Sequence, residues 1–387
     1  MRNWKILFGV VIAAALLALL SGRHSSAPTV SEASAPPASA SVSAPTAVVP
    51  ARGREQFVGS AACADCHRAQ SDAYAGSHHA KALLKPSGDL SKTHFDGTQL
   101  TSKLGGTTKF SLRDGAPVVT TPLPDAKSAT LPIRYISGVW PLEQYVVETE
   151  RGKLQSLGVV WDSRTASEGG AKWFHVYGAN GIAPKDSLFF TSSAQSWNHI
   201  CADCHSTWVE RRYDSAADSF DTRWAELSVG CEACHGPGAE HVRTAKLGHA
   251  APFAARLTAA TEPWLPSATG SPTPRAQDGV EVEVCAPCHS RRTPLKEGFV
   301  AADPFLDSFE PDLLRQARYH ADGQVDGEVY EWGSFLQSRM YGAGVKCSSC
   351  HEPHSGKTLA EGNALCVRCH EPKHFDVPEH SHHAGNL

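Results

Sequence analysis

Methionine is almost absent from this 387-residue chain, with Met1 and Met340 the two present. A set of metal centres held through thioether side chains is thereby excluded, because one internal methionine can serve only one centre. Also missing is any surplus of positive charge: 36 Lys and Arg stand against 40 Asp and Glu, for a formal net charge of −4. That excludes a nucleic-acid partner, since neutralising phosphates takes a clear Lys/Arg excess on the binding face. The longest apolar run, Ile6 to Leu20, is fifteen residues, short of the ~20 that usually span a membrane, although ~17 can suffice. Finally, no cysteine is left over, so none remains for a lipid anchor.

What is present is a sixfold repeat. The 12 cysteines form six Cys-x-x-Cys pairs, each followed at once by histidine: Cys63/Cys66/His67, Cys201/Cys204/His205, Cys231/Cys234/His235, Cys285/Cys288/His289, Cys347/Cys350/His351 and Cys366/Cys369/His370. A disulfide within so short a spacing would close almost no loop and stabilise little. Structural zinc needs four ligands per site and gives no reason for a histidine after every second cysteine. Covalent c-type haem does require the pattern: two thiols on one turn add to the two vinyl groups, and the adjacent imidazole becomes the proximal iron ligand. Six covalently bound c-type haems are therefore expected.

At the start of the chain, Arg2 and Lys5 precede the apolar run, the layout of an export signal. Leu20-Ser21-Gly22-Arg23 is a poor cleavage site, so residues 1–22 read as a signal peptide or as an uncleaved inner-membrane anchor through residues 6–20. Either way the body is expected to be periplasmic or periplasm-facing. Residues 23–56, rich in Ala, Ser and Pro and without an aromatic before Phe57, read as a disordered linker. His24 falls there and is set aside as a ligand.

The motifs are unevenly spaced. From Cys63 to Cys201 is 138 residues, and the later intervals are 30, 54, 62 and 19. The first interval contains β-branched and aromatic runs at Lys109–Leu112, Ile133–Ile136, Glu143–Thr149 and Gln155–Trp161, punctuated by Asp114-Gly115 and Arg151-Gly152. We read 57–94 as a first haem-binding segment and 95–178 as a small antiparallel β insertion whose aromatics, Trp140, Trp161, Trp173 and Phe174, are mostly core. Residues 179–387 read as the multihaem region, including a doubled module at 347–370. From Trp197 on, short helices and attachment turns are expected, with helix pieces at Gln316–His320 and Ser334–Tyr341 and a surface loop over 250–280. The fold class expected is mostly α and irregular, packed around haem, with the small β insertion between motifs 1 and 2. With about 55 residues per haem, the porphyrins should supply most of the core, and the apoprotein should be largely unfolded.

Since Met340 can ligate at most one iron, histidine is the expected distal ligand. Thirteen histidines remain once the six motif histidines and His24 are set aside. The better candidates are His79 in Ser77-His78-His79-Ala80, His241 after the Gly236-Pro237-Gly238 turn, His354 in His351-Glu352-Pro353-His354, and His320 in Tyr319-His320-Ala321-Asp322. His175 in the strand region and His382 at the tail are weaker, and His199 reads equally as packing or as a ligand. Bis-histidine ligation lacks the potential-raising effect of methionine, so low potentials are expected.

At these residues the chain resembles known families. Val58-Gly59-Ser60-Ala61-Ala62-Cys63 through His79, with Val229-Gly230-Cys231 through Gly238 and His241, resembles the cytochrome c-554 type. Cys347-Ser348-Ser349-Cys350-His351-Glu352-Pro353-His354-Ser355 through Cys369-His370 resembles the doubled C-x-x-C-H module. More broadly, residues 58–383 are similar to exported multihaem cytochromes that often carry C-terminal tetratricopeptide repeats, absent here. Supporting segments are Pro141–Tyr145, Trp161–Arg164 and Tyr319–Met340. The resemblance implies haem binding and electron transfer and no set substrate. Such relatives usually continue past the histidine cluster into another motif, so a truncated product and a natural short form are both open readings of Leu387.

Three roles are then in play. An electron carrier needs only closely spaced haems. An oxidoreductase acting on a small inorganic nitrogen or sulfur compound needs one iron with an open position and nearby acid, base or cationic groups. An interaction module of a membrane-associated redox assembly would use the tether. The carrier is preferred over the enzyme because no distinctive catalytic haem motif is present. Its expected partners are other redox proteins of the cell envelope. Since each haem adds two propionates, the holoprotein should be more acidic than −4, which favours a basic docking face on the partner.

Overall fold

The computed structural model describes residues 53–86, 94–258, 264, 270–276, 279–326 and 330–381. The signal or anchor at 1–22, nearly all of the linker at 23–56, and His382 lie outside them. Among the described residues no helix is long and apolar enough to cross a membrane, and residues 6–20 are not among those searched.

The dominant element is an antiparallel sheet of seven strands in sequential order: β1 (Gln99–Ser102), β2 (Gly106–Arg113), β3 (Ala116–Pro122), β4 (Ser128–Ser137), β5 (Leu142–Glu148), β6 (Leu154–Asp162) and β7 (Lys172–His175). Turn chemistry makes this meander local. Asp114 and Gly115 both have positive φ (52° and 77°), the two-residue hairpin geometry that Asp-Gly favours between β2 and β3. Arg151 and Gly152 (59° and 72°) do the same between β5 and β6.

Alternation along the strands then sorts the side chains. Phe110, Val119, Ile133, Tyr145, Val147, Leu157 and Trp173 form one buried cluster with Phe95, Phe189 and Phe190. Phe110 stacks on Trp173 at 3.5 Å. Each such side chain contributes roughly 1.5–3 kcal/mol by leaving water. A polar trio is embedded there: His94 Nε2 lies 2.6 Å from Tyr145 Oη and 3.1 Å from Glu143 Oε2, with the ring stacked on Trp161 at 4.3 Å. Val146 and Leu154 pack in a second cluster with Leu83, Trp197 and Ala202, which seats the second motif against the sheet. Asn198, fully buried, fastens that join: its Oδ1 accepts from Leu154 N at 2.7 Å and its Nδ2 donates to Gly152 O at 3.2 Å.

The rest of the chain is short pieces. Helix α1 (Arg68–Ala75) follows the first motif, α2 (Ala202–His205) contains most of the second, α3 (Cys231–His235) is the third, and α4 (Ala239–Ala245) comes after it. Helix α5 (Val280–His289) ends in the fourth motif. Between motifs 2 and 3 the chain makes a hairpin, β8 (Ser206–Glu210) with β11 (Arg223–Leu227), extended by β9 (Tyr213–Asp214) and β10 (Ser219–Phe220).

The expectation of a mostly α and irregular fold with a small β insertion is therefore overturned. The seven-stranded sheet is the largest element, and the longest helix among the described residues, α5, has ten residues. The physical reason is length: a Cys-x-x-Cys-His unit fills one helical turn, so six of them build little helix, whereas the 138-residue interval has room for a full meander. Two smaller expectations also fail. Residues 316–320 form a turn, with Tyr319 bridging Val325 instead of continuing a helix. Ser334–Tyr341 is broken at Ser338, whose Oγ accepts from Tyr341 N at 3.1 Å and so starts a new helix, Arg339–Gly342, after Glu331–Leu336.

Candidate functional site

All six motifs adopt one helical turn. In motifs 1, 5 and 6 the histidine N–H donates to the first cysteine's carbonyl at 2.9 Å (His67 to Cys63, His351 to Cys347, His370 to Cys366). In motifs 2, 3 and 4 the histidine ends α2, α3 and α5. Residues three and four apart on such a turn share a face, so both sulfurs and the imidazole are presented together.

The twelve cysteines are not equally sheltered. Ten are half-buried, whereas Cys66 and Cys366 are exposed. Cys66 lies at the end of motif 1 that leads into helix α1. The physical reason is local: helix α1, which follows motif 1 directly, contains no buried residue, so that side of the turn faces solvent. Cys66 is accordingly the more accessible of motif 1's two attachment thiols, and Cys63 the one turned toward the rest of the chain.

The motifs also touch one another. Cys63 of motif 1 lies beside Cys231 of motif 3, Cys204 of motif 2 beside Cys288 of motif 4, and Cys285 of motif 4 beside Cys347 of motif 5. As free thiols the first pair is polarised: the neighbouring Cys231 and burial push Cys63 up, while its closeness to Cys63 pulls Cys231 down to about 6. Cys234 lies within electrostatic reach of Cys285 and Cys288, and Cys350 of Cys366 and Cys369. Cysteine proximities thus run 1–3–4–5–6, with motif 2 branching at motif 4.

A carboxylate stands at each of the three joins where cysteines of different motifs lie side by side. Glu232, between the cysteines of motif 3 and 2% exposed, accepts from Val58 N (3.0 Å), Gly59 N (2.8 Å) and Gly238 N (2.6 Å), clamping the approach to motif 1. Glu281 on α5 accepts from Ser348 N at 2.6 Å and Ser348 Oγ at 2.7 Å, holding motif 5 to motif 4. Asp203, between the cysteines of motif 2, accepts from Arg292, which follows motif 4. Sequence reasoning missed all three, because an acid inside or near such a motif reads as solvated surface; no local signal marks them.

Imidazole rings come together in pairs. His67 faces His241 with ring centroids 6.1 Å apart, His289 faces His79 at 6.3 Å, and His235 faces His354 at 6.4 Å. Burial lowers the pKa of His79, His205, His235 and His289, favouring the neutral form that ligates a metal. Outer nitrogens are occupied: His241 Nδ1 bonds Ala251 O at 2.8 Å, His205 Nδ1 bonds Ala82 O at 2.8 Å, and His354 Nδ1 bonds Glu352 Oε1 at 2.9 Å. Such partners orient the ring and leave Nε2 for a metal. Phe253 lies against both His241 (4.5 Å) and His235 (5.6 Å), between two of the pairs.

The other candidates stand apart from these pairs. His320 is exposed beside Asp326 at 3.7 Å. His175 lines a small cavity in the sheet with Phe189 and Phe190, its Nδ1 accepting from Tyr177 N at 3.2 Å.

Two families match the chain: "Cytochrome c554 and c-prime" at residues 62–103 and 181–236, and "Doubled CXXCH motif" at residues 341–375. The chain is a multihaem c-type cytochrome. It binds c-type haem covalently and has an electron-transfer role. No curated protein matches this cytochrome. A solved structure, the outer cell wall cytochrome OcwA, is similar at 15% identity, covering 82% of this chain and 63% of that one, with a TM-score of 0.46. This cytochrome therefore spans less than two thirds of that protein's length.

The residues fit the cofactor on geometry. Two imidazoles on opposite sides of one metal, each with a bond of about 2.0–2.1 Å and about 1.1 Å from nitrogen to ring centre, put their centroids about 6.3 Å apart. The three observed spacings, 6.1 to 6.4 Å, fall at that value.

Proposed function

We propose that this cytochrome is a hexahaem electron carrier of the cell envelope. Each motif holds one haem through its two cysteines, with His67, His205, His235, His289, His351 and His370 as proximal ligands. His241, His79 and His354 serve as distal ligands opposite His67, His289 and His235. The observations that support this reading are the three imidazole pairs and the closeness of neighbouring motifs in the order 1–3–4–5–6, with a branch to motif 2.

When bound, haem supplies one-electron exchange between ferric and ferrous iron. The chain's own residues fix where that exchange occurs. Glu232, Glu281 and Asp203 hold neighbouring motifs in register; Ala251 O, Ala82 O and Glu352 orient the imidazoles; Phe253 excludes water between two histidine pairs. Distal histidine in place of methionine keeps potentials low. In the same reading residues 57–94 and 179–387, with the doubled module 347–370, carry the haems, 95–178 is the β-rich part, and 1–22 and 23–56 export and tether the protein on the periplasmic side. Its partners are redox proteins with a basic docking face.

A second reading, an oxidoreductase acting on a small inorganic nitrogen or sulfur compound, draws on His205, His351 and His370, none of which faces a second imidazole at that spacing among the described residues. Electron paramagnetic resonance of the oxidised holoprotein separates the two. Six low-spin centres support the carrier, and His241→Ala should convert one of them to high spin. A high-spin centre in the unaltered protein that binds nitrite or cyanide supports the enzyme and overturns the pure carrier.

A further inference from the structure

Motifs 2 and 4 meet at a seam that contains more positive than negative charge. Asp203 Oδ2 accepts from Arg211 Nη2 at 2.5 Å and from Arg292 Nη1 at 3.1 Å. All three side chains are withdrawn from water, at 8% exposure for each arginine and 15% for the aspartate. Guanidinium groups stay charged in proteins, so two cations against one carboxylate leave one positive charge uncompensated within this cluster.

Arg292 is fixed on three further sides. Its Nε donates to Pro287 O, inside motif 4, at 2.8 Å. Its Nη2 stands 3.7 Å from Cys204 Sγ, a haem-attaching sulfur of motif 2. Its Cζ lies 4.2 Å from the centre of the Phe309 ring, which covers it from below. A lysine or a solvated arginine would not be held this way, because it takes the planar fork to meet a carboxylate, a carbonyl and a sulfur at once.

We infer that Arg292 is a positioning residue that sets the reduction potentials of the centres on motifs 2 and 4, holding them above the value they would have beside a neutral side chain. This rests on reading those motifs as haem sites. Oxidising a haem iron adds one positive charge, and a fixed cation in a low-dielectric seam opposes it; accepting one electron removes that charge and is favoured. The electron comes from a neighbouring centre or an external reductant, and no bond is made or broken. A plain structural staple between motifs 2 and 4 would hold the same contacts without setting a sign.

The sign is what the test reads. Spectroelectrochemical titration of the holoprotein with Arg292→Gln should show one or two centres whose ferric-to-ferrous ratio at a given potential rises about tenfold, a ~59 mV fall for a one-electron couple. Arg292→Lys should restore part of it. Asp203→Asn, which removes the negative charge, should move the same centres the opposite way. Where Arg292→Gln yields too little holoprotein, Arg211→Gln, on the same carboxylate, should give a smaller fall. Unchanged potentials in a fully loaded variant, or shifts of the same sign for Arg292→Gln and Asp203→Asn, overturn the inference. Mass spectrometry of peptides carrying motifs 2 and 4 separates this from failure of the underlying reading: peptides without haem would overturn both, whereas loaded peptides with unmoved potentials would overturn the role of Arg292 alone.

Discussion

The strand-bearing and motif-bearing regions solve the problem of a core in different ways. From Leu142 to Asp162 most strand positions are buried, shared between an aromatic-rich cluster and a second cluster that holds the second motif. From 330 to 380, which contains motifs 5 and 6, Gly344 is the one buried residue, and from 58 to 76, around motif 1, none is. Clusters in the later part of the chain are small, such as Ala255, Val284 and Ala301, or Ala286, Phe305 and Phe309. The sheet is built around its own side chains. The motif regions are built around a group that is not an amino acid, and without it they have little to offset the ordering entropy of their backbone.

The largest expected effect breaks the molecule along that line. Haem-free protein, made without the attachment machinery, should keep hydrogen-exchange protection in β2 to β6 and lose it throughout 58–76 and 330–380. Protection lost uniformly, or kept in both regions, would remove the distinction. This narrows the expectation of a largely unfolded apoprotein to its motif-bearing parts. Next in size, Phe110→Ala should cost about 3–5 kcal/mol in denaturant unfolding of the holoprotein, with the haem absorption bands little changed.

Glu232→Ala tests the other region. It strips the acceptor from the N–H groups of Val58, Gly59 and Gly238 and should cost about 3 kcal/mol, at ~1–3 kcal/mol per donor left unsatisfied. The loss should show as faster exchange at Val58 and Gly59 while the sheet stays protected. The smallest effect is acid sensitivity within the sheet. Arg164, donating to Asp162 at 2.9 and 2.6 Å, holds that carboxyl below its usual range. A depressed folded pKa gives stability that is full above the ordinary carboxylate value of about 4 and is lost as pH falls below it. Asp162→Asn should flatten the stability–pH curve in that acid window and leave it unchanged near neutrality.

Four of the seven strands of the sheet were legible for a local reason. Lys109–Leu112, Ile133–Ile136, Glu143–Thr149 and Gln155–Trp161 carry β-branched and aromatic side chains, and Asp114-Gly115 and Arg151-Gly152 mark turns, so period and turn chemistry agree. The weight of the sheet in the fold was not legible. Neither was the break at Ser338, where one hydroxyl cap outweighs a continuing apolar pattern. Among distal candidates, His79, His241 and His354 were visible as histidines in distinctive settings, yet nothing in the sequence ranked them above His320, which the fold leaves at the surface beside Asp326. The unequal shelter of Cys63 and Cys66 was equally hidden, since the two thiols of a motif look alike until the chain packs against one of them.

By itself the sequence determined the local geometry of each motif. Two sulfurs and an imidazole at fixed short spacing share one helical turn wherever that turn lies, because the geometry is local. Only the tertiary structure decided which motif meets which, which imidazole faces which, and where buried charge collects. Cys63 meets Cys231 and Cys204 meets Cys288 across 168 and 84 residues of chain, and Arg292 reaches Asp203 across 89. Contacts at such separations are set by how a whole sheet and its hairpins pack, and no local pattern encodes that.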